Sequence, residues 1–104
     1  MDRSKRSRLE AQGWKVGTVQ EFLDLSPQEA LLIDIRARLA TALAERRSRQ
    51  ELTQAELARR IRSSQSRVAK MEAADSSVSL DLLIRSLLAL GATRKDLAAV
   101  IGGK

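Results

Sequence analysis

The segment Thr53–Met71, TQAELARRIRSSQSRVAKM, constrains this chain more than any other. It carries two helix-start signals with little room between them. Thr53 followed three residues later by Glu56 is a capping-box pattern, in which hydroxyl and carboxylate each take up a free N–H of the first turn. Ser64 gives a second N-cap signal, ahead of Gln65. Arg62-Ser63 leaves only a tight polar turn between the two helices. Leu57, Ala58 and Ile61 on the first and Val68 and Met71 on the second recur at helical spacing, so the pair shares one apolar angle. Ala58 is small where crossing helices come closest; a larger side chain would hold them apart. Two helices arranged this way form a helix-turn-helix.

The rest of the chain reads as further helices. Ser26-Pro27-Gln28-Glu29 combines an N-cap, a proline at the first helical position and an acid at the third. The helix it opens runs to about Arg49, with Leu32, Ile35, Leu39 and Leu43 as its inward stripe. Leu31 and Ile33 widen the apolar surface of its first half, which either the 18–25 segment or a second subunit must cover. Ser79 caps a helix to Leu90, whose Leu80, Leu83, Leu87 and Leu90 read as core packing rather than a zipper. Gly91 stops it. Thr93 caps a last helix bearing Leu97, Val100 and Ile101, ended by Gly102-Gly103.

Ahead of residue 26, Met1–Arg8 reads as a disordered basic arm. Trp14-Lys15-Val16 reads as a short extended piece, and Thr18 with Glu21 opens a short helix carrying Val19, Phe22 and Leu23. Trp14 either docks on the first long helix or contacts a partner. With no strand-rich run and no internal repeat, the expectation is an all-α chain of five or six helices. Residues 1–25 form an N-terminal basic arm and short extension. Residues 26–104 form the helix-turn-helix domain, its motif at about 53–73.

Charge narrows the function. The 104 residues carry a net charge of +6. Half of that excess lies in 53–73, where Arg59, Arg60, Arg62, Arg67 and Lys70 stand against Glu56 and Glu72. A small basic domain calls for an anionic partner, of which nucleic acid is the commonest. Cysteine and histidine are absent, which removes disulfides, thiol nucleophiles, imidazole bases and nearly all zinc or transition-metal sites. One Trp, one Phe and no Tyr leave little for a ring-lined pocket. The expectation is a protein without catalytic residues, cofactor or metal. Uncharged runs too short to span a bilayer predict a cytoplasmic protein, held at the nucleoid through DNA.

A helix of the length opened at Gln65 fits the major groove, where each base pair shows a distinct donor and acceptor pattern. Val68 and Met71 occupy one side of it. Gln65, Ser66, Ala69 and Lys70 lie opposite, with Arg67 on the flank. An amide pairs with adenine N6 and N7 and a guanidinium with guanine O6 and N7. Lys70, a point charge on a long stem, suits phosphate, and Arg62 in the turn is placed to reach phosphate as well. A single such helix reads few base pairs, so a homodimer on a palindromic site is expected. Leu97, Val100 and Ile101 are the favoured contact, with the N-terminal extension second.

LTQAELA followed by SQSRVAKME resembles the XRE/Cro-type regulators, which share the lambda-repressor-like fold of about five helices. The resemblance covers roughly Ile35–Leu90. It implies sequence-specific binding of double-stranded DNA by a transcriptional repressor. It also implies that Gln54 contacts phosphate and braces Gln65, which contacts a base. By their own placement Ser64, already a cap, and Ser66, Arg67, Lys70 and Arg62 complete the expected interface. Arg47 and Glu72 stand where the family often has an ion pair. The chain departs from the family at Glu51, Arg62 and Ala74, where glycine is common; either the backbone there is left-handed, at a cost of roughly 1 kcal/mol for each non-glycine residue, or the turns relax to a slightly different geometry. GWKVGTVQEFLDLSPQE resembles the N-terminal portion of a subset of these regulators, which are HigA-type antitoxins or stand-alone regulators. The HigA-type likeness implies an alternative function: a protein that neutralises a small toxin enzyme, its cognate partner, and represses its own operon.

Overall fold

The structure, a computed structural model, describes residues 26–103. The expected arm at Met1–Arg8, extended piece at Trp14–Val16 and short helix from Thr18 lie outside the described residues. The chain divides into two units, Met1–Ile33 and Asp34–Lys104. The described part of the first unit is the cap and opening turns of one helix. There Leu31, Leu32 and Ile33 are exposed at 57%, 46% and 54%. The inward stripe expected from Leu32 therefore starts one turn later, at half-buried Ile35.

The described residues form five α-helices and no strand: α1 (Pro27–Arg49), α2 (Gln54–Arg60), α3 (Gln65–Glu72), α4 (Leu80–Ala89) and α5 (Arg94–Gly102). Each begins at a residue whose side chain replaces a missing intrahelical partner. Ser26 Oγ accepts from Glu29 N–H at 3.1 Å while Glu29 Oε1 accepts from Ser26 N–H at 3.0 Å. Thr53 and Glu56 make the same reciprocal pair on α2, as do Thr93 and Asp96 on α5. Ser64 and Ser79 cap α3 and α4 through the N–H groups of Arg67 and Leu82, each at 3.1 Å.

The first four helices end alike. The N–H of Leu52 reaches back to Arg47 C=O and that of Glu51 to Ser48 C=O. Ser63 and Arg62 do the same to Ala58 and Arg59, Asp75 and Ala74 to Lys70 and Met71, and Ala92 and Gly91 to Leu87 and Leu88. This is the Schellman arrangement, which needs one left-handed residue per turn. Gly91 supplies it after α4 at φ 91°. After α1, α2 and α3 the left-handed residues are Glu51 (φ 60°), Arg62 (φ 57°) and Ala74 (φ 58°). All three turns thus keep the glycine-type geometry with a side chain in place.

The core of the second unit gathers Leu39, Ala40 and Leu43 of α1, Leu57 and Ala58 of α2, Val68 and Met71 of α3, and Leu83 and Leu87 of α4. Val78, Leu90 and Ala92 close it from the connections. Ala58 is 3% exposed, as its small size requires where α2 and α3 approach. Among the described residues one polar residue, Ser86, is fully buried; its hydroxyl donates to Leu82 C=O at 2.8 Å and lies 3.5 Å from Met71 Sδ. The back-bond within α4 satisfies the hydroxyl and leaves its small volume against α3.

Candidate nucleic-acid interface

The amphipathic split of α3 is complete. Val68 and Met71 are fully buried, while Gln65, Ser66, Arg67, Ala69 and Lys70 are exposed. The buried pair fixes the helix on the core, so the remaining side chains project from a rigid support. Ser64, Ser66, Arg67 and Lys70 line one polar groove of about 330 Å³ with Ser77 and Val78. Ser64 and Arg67 also line a second groove, with Arg62, Ser63, Ile61 and Leu82. Arg62 thus joins the α3 residues through the turn, its own side chain exposed. Two guanidinium groups, one ammonium and several hydroxyls converge here, a set suited to phosphate and base edges.

Ser77 carries no signal that sequence periodicity detects, because it lies in the connection between α3 and α4. The same connection holds Asp75, whose Oδ1 accepts from Ser77 N–H at 2.8 Å. Hydrogen bonds from Ser77 hold the Asp75 carboxyl below its ordinary value, and the charges of Lys70 and Arg36 add to that effect.

Glu72 ends α3 as the one acid on that helix. Arg47 meets it in a two-pronged pair, Nε to Oε2 at 2.6 Å and Nη2 to Oε1 at 3.0 Å. The same guanidinium donates to Leu52 C=O at 2.7 Å. Gln54 Nε2 donates to Glu72 Oε1 at 3.0 Å. Three elements are therefore tied at one carboxylate: α1 by Arg47, α2 by Gln54 and α3 by Glu72 itself. Burial pushes the Glu72 carboxyl up, but the hydrogen bonds from Arg47 and Gln54 and the Arg47 charge together hold it below the ordinary glutamate value. Hydrogen bonding to Glu72 in turn raises the Arg47 pKa against the opposing effect of burial. Gln54 and Gln65 are not hydrogen-bonded to each other; the Gln54 amide is directed to Glu72.

The residues expected at a subunit contact are divided by the fold. Leu97 and Val100 are half-buried and pack against the core, while Ile101 is 40% exposed. Leu88 on α4 is exposed too, at 50%.

The helix-turn-helix domain family matches residues 21–95, a span that contains α2, the turn, α3 and both grooves. The chain belongs to the helix-turn-helix domain family. No curated protein and no solved structure matches it. Membership makes DNA the partner class, because this motif places its second helix in the major groove. In the domain described here that second helix is α3. Among the described residues no cluster of acids suits a metal ion, and no helix is long and apolar enough to cross a membrane.

Proposed function

We propose that the protein is a sequence-specific transcriptional repressor that binds double-stranded DNA as a homodimer on a palindromic operator. The observation that carries the reading is the outer face of α3. Gln65 and Ser66 stand at its exposed N-terminal end, and Arg67 and Lys70 share a groove with Ser64 and Ser77. Gln65 and Arg67 have the donor sets that discriminate base edges in the major groove. Lys70, Arg62 and the Ser64 and Ser66 hydroxyls reach phosphate oxygens and set the register. Gln54 acts from behind: Arg47 neutralises Glu72 and the Gln54 amide donates to the same carboxylate, so the acid that ends α3 is held away from the DNA. The dimer contact runs through the exposed end of α5 at Ile101, since Leu97 and Val100 serve the core.

Binding of duplexes from the protein's own promoter, titrated against salt, tests this reading. A dimer that neutralises about six phosphates gives a log–log slope near −5, at roughly 0.9 per phosphate. A slope near zero, or no binding at low salt, would refute it. Sedimentation of Ile101→Asp beside the parent chain tests the contact; a dimer that persists in the variant rejects that surface.

The HigA-type antitoxin reading rests on the exposed run Leu31-Leu32-Ile33, an apolar surface of the kind that binds protein. A toxin gene beside this one, and a complex between the two products, would favour it.

A further inference from the structure

The connection from Ala74 to Val78 forms the second wall of the α3 groove, and most of its hydrogen bonds are local. Asp75 N–H donates to Lys70 C=O at 3.0 Å, Ser77 N–H to Asp75 Oδ1 at 2.8 Å, and Val78 N–H to Asp75 C=O at 3.1 Å. The first of these bonds ties the start of the loop to the end of α3. Two features of Val78 tie the loop's far end to the rest of the domain. Its side chain is buried in the core at 2% exposure, and its carbonyl accepts a hydrogen bond from the half-buried Arg36 guanidinium of α1, 42 positions away in sequence. A hydrogen bond from a charged donor is about twice as strong as a neutral one, so it adds a directional hold on the Val78 carbonyl to the packing of the side chain.

We infer that Arg36 is a positioning residue for DNA binding: by holding the Val78 carbonyl it sets the loop that carries Ser77 opposite Ser64, Ser66, Arg67 and Lys70. The inference rests on the DNA-binding reading of that groove. Arg36 needs no contact with DNA to act. Its charge also falls on Asp75, as does that of Lys70, so the acid of the loop is balanced from α1 as well as from α3. Nothing in the local sequence around Arg36 marks it. It becomes visible only when the fold brings α1 to the end of the loop.

The test uses the full chain, a duplex selected by the parent protein from a random library, and the variants Arg36→Met and Arg36→Lys. Methionine keeps much of the apolar stem and removes the donor; lysine restores a charged donor. Affinities are measured at a temperature where unfolding curves show every variant folded. Arg36→Met is expected to weaken binding about tenfold with an unchanged salt slope. In the free protein, amide exchange at Ser77 and Val78 should quicken in Arg36→Met while that of α2 stays as it was. Arg36→Lys should restore both readouts to within about threefold. Unchanged affinity, unchanged exchange at the two amides, or no recovery with lysine overturns the inference. So does a slope smaller by about one unit, which would make Arg36 a direct phosphate contact. If the parent chain selects no duplex, the DNA reading itself has failed, and the exchange rates alone decide whether Arg36 holds the loop.

Discussion

Replacing Glu51, Arg62 and Ala74 by glycine should stabilise the protein in three separable steps. Each residue occupies the left-handed position of a Schellman turn, at φ 60°, 57° and 58°. That conformation costs a residue with a Cβ about 1–2 kcal/mol. Glycine removes the cost but enlarges the unfolded ensemble by about 0.4–1 kcal/mol. The net gain is then about 0.5–1 kcal/mol per site, and about 1.5–3 kcal/mol for the triple variant if the separate turns add. At about 4–8 °C per kcal/mol for a domain of this size, the melting temperature should rise by roughly 6–24 °C. Urea titrations should show higher midpoints at nearly unchanged m, with the smallest gain at Ala74, whose methyl packs against the core.

Gly91 supplies the reverse experiment. An added Cβ there meets nothing within 4 Å, so Gly91→Ala isolates the backbone cost, and it should lower stability by about 1 kcal/mol. A triple variant no more stable than the parent, together with a neutral Gly91→Ala, would refute the reasoning. Arg62→Gly separates strain from function. It should gain the same stability as Glu51→Gly while flattening the salt slope of DNA binding by about one unit. The strained residue would then be kept for its charge, as strain at functional sites often is.

Arg47→Met leaves Glu72, whose side chain is only 9% exposed, without its cation. Because the partner is itself 20% exposed, the loss near pH 7 should be about 1–3 kcal/mol rather than that of a wholly buried pair. The Glu72 pKa is depressed in the folded state, so the pair's contribution is present above the unfolded value of 4.5 and lost as pH falls through the folded one. Urea unfolding of parent and variant should therefore converge as pH falls through the depressed Glu72 pKa; a gap that stays constant would show that Arg47 acts through packing. Gln65→Ala should weaken specific binding by about 1–3 kcal/mol and relax preference at one base position. Lys70→Ala should weaken binding evenly across sequences and lower the salt slope by about one unit, and the opposite pattern in a selection on random duplexes would reverse the two assignments.

What the sequence makes legible follows from the range of the forces involved. Ser26, Thr53, Ser64, Ser79 and Thr93 bond to groups three residues away, so their role is written within one turn of chain. The inward positions of α2, α3 and α4 follow from helical spacing, which is also local. Leu32 has the right spacing and yet is exposed, because periodicity finds the face of a helix but not how much of its length the core covers. The three left-handed turns were open to either outcome from composition alone. Three pairs of backbone hydrogen bonds across the helix ends hold them against the preference of Glu51, Arg62 and Ala74.

The site divides along the same line. The outward face of α3 is a matter of spacing, but the tie of Gln54 to Glu72 depends on how α2 crosses α3. The hold of Arg36 on Val78 depends on where α1 passes the end of the loop. Those tertiary contacts determine whether a legible row of side chains is also a rigid one. A surface cluster of arginines binds any polyanion; discrimination between bases needs donors fixed against bending toward the wrong edge. In this domain the buried Val68 and Met71 seat α3 on the core, and charged side chains of α1 add to that hold. Arg47 reaches the last residue of α3, and Arg36 reaches the loop beyond it. Specificity should accordingly be more sensitive to substitutions on α1, which presents no base-reading face, than its position outside the motif suggests.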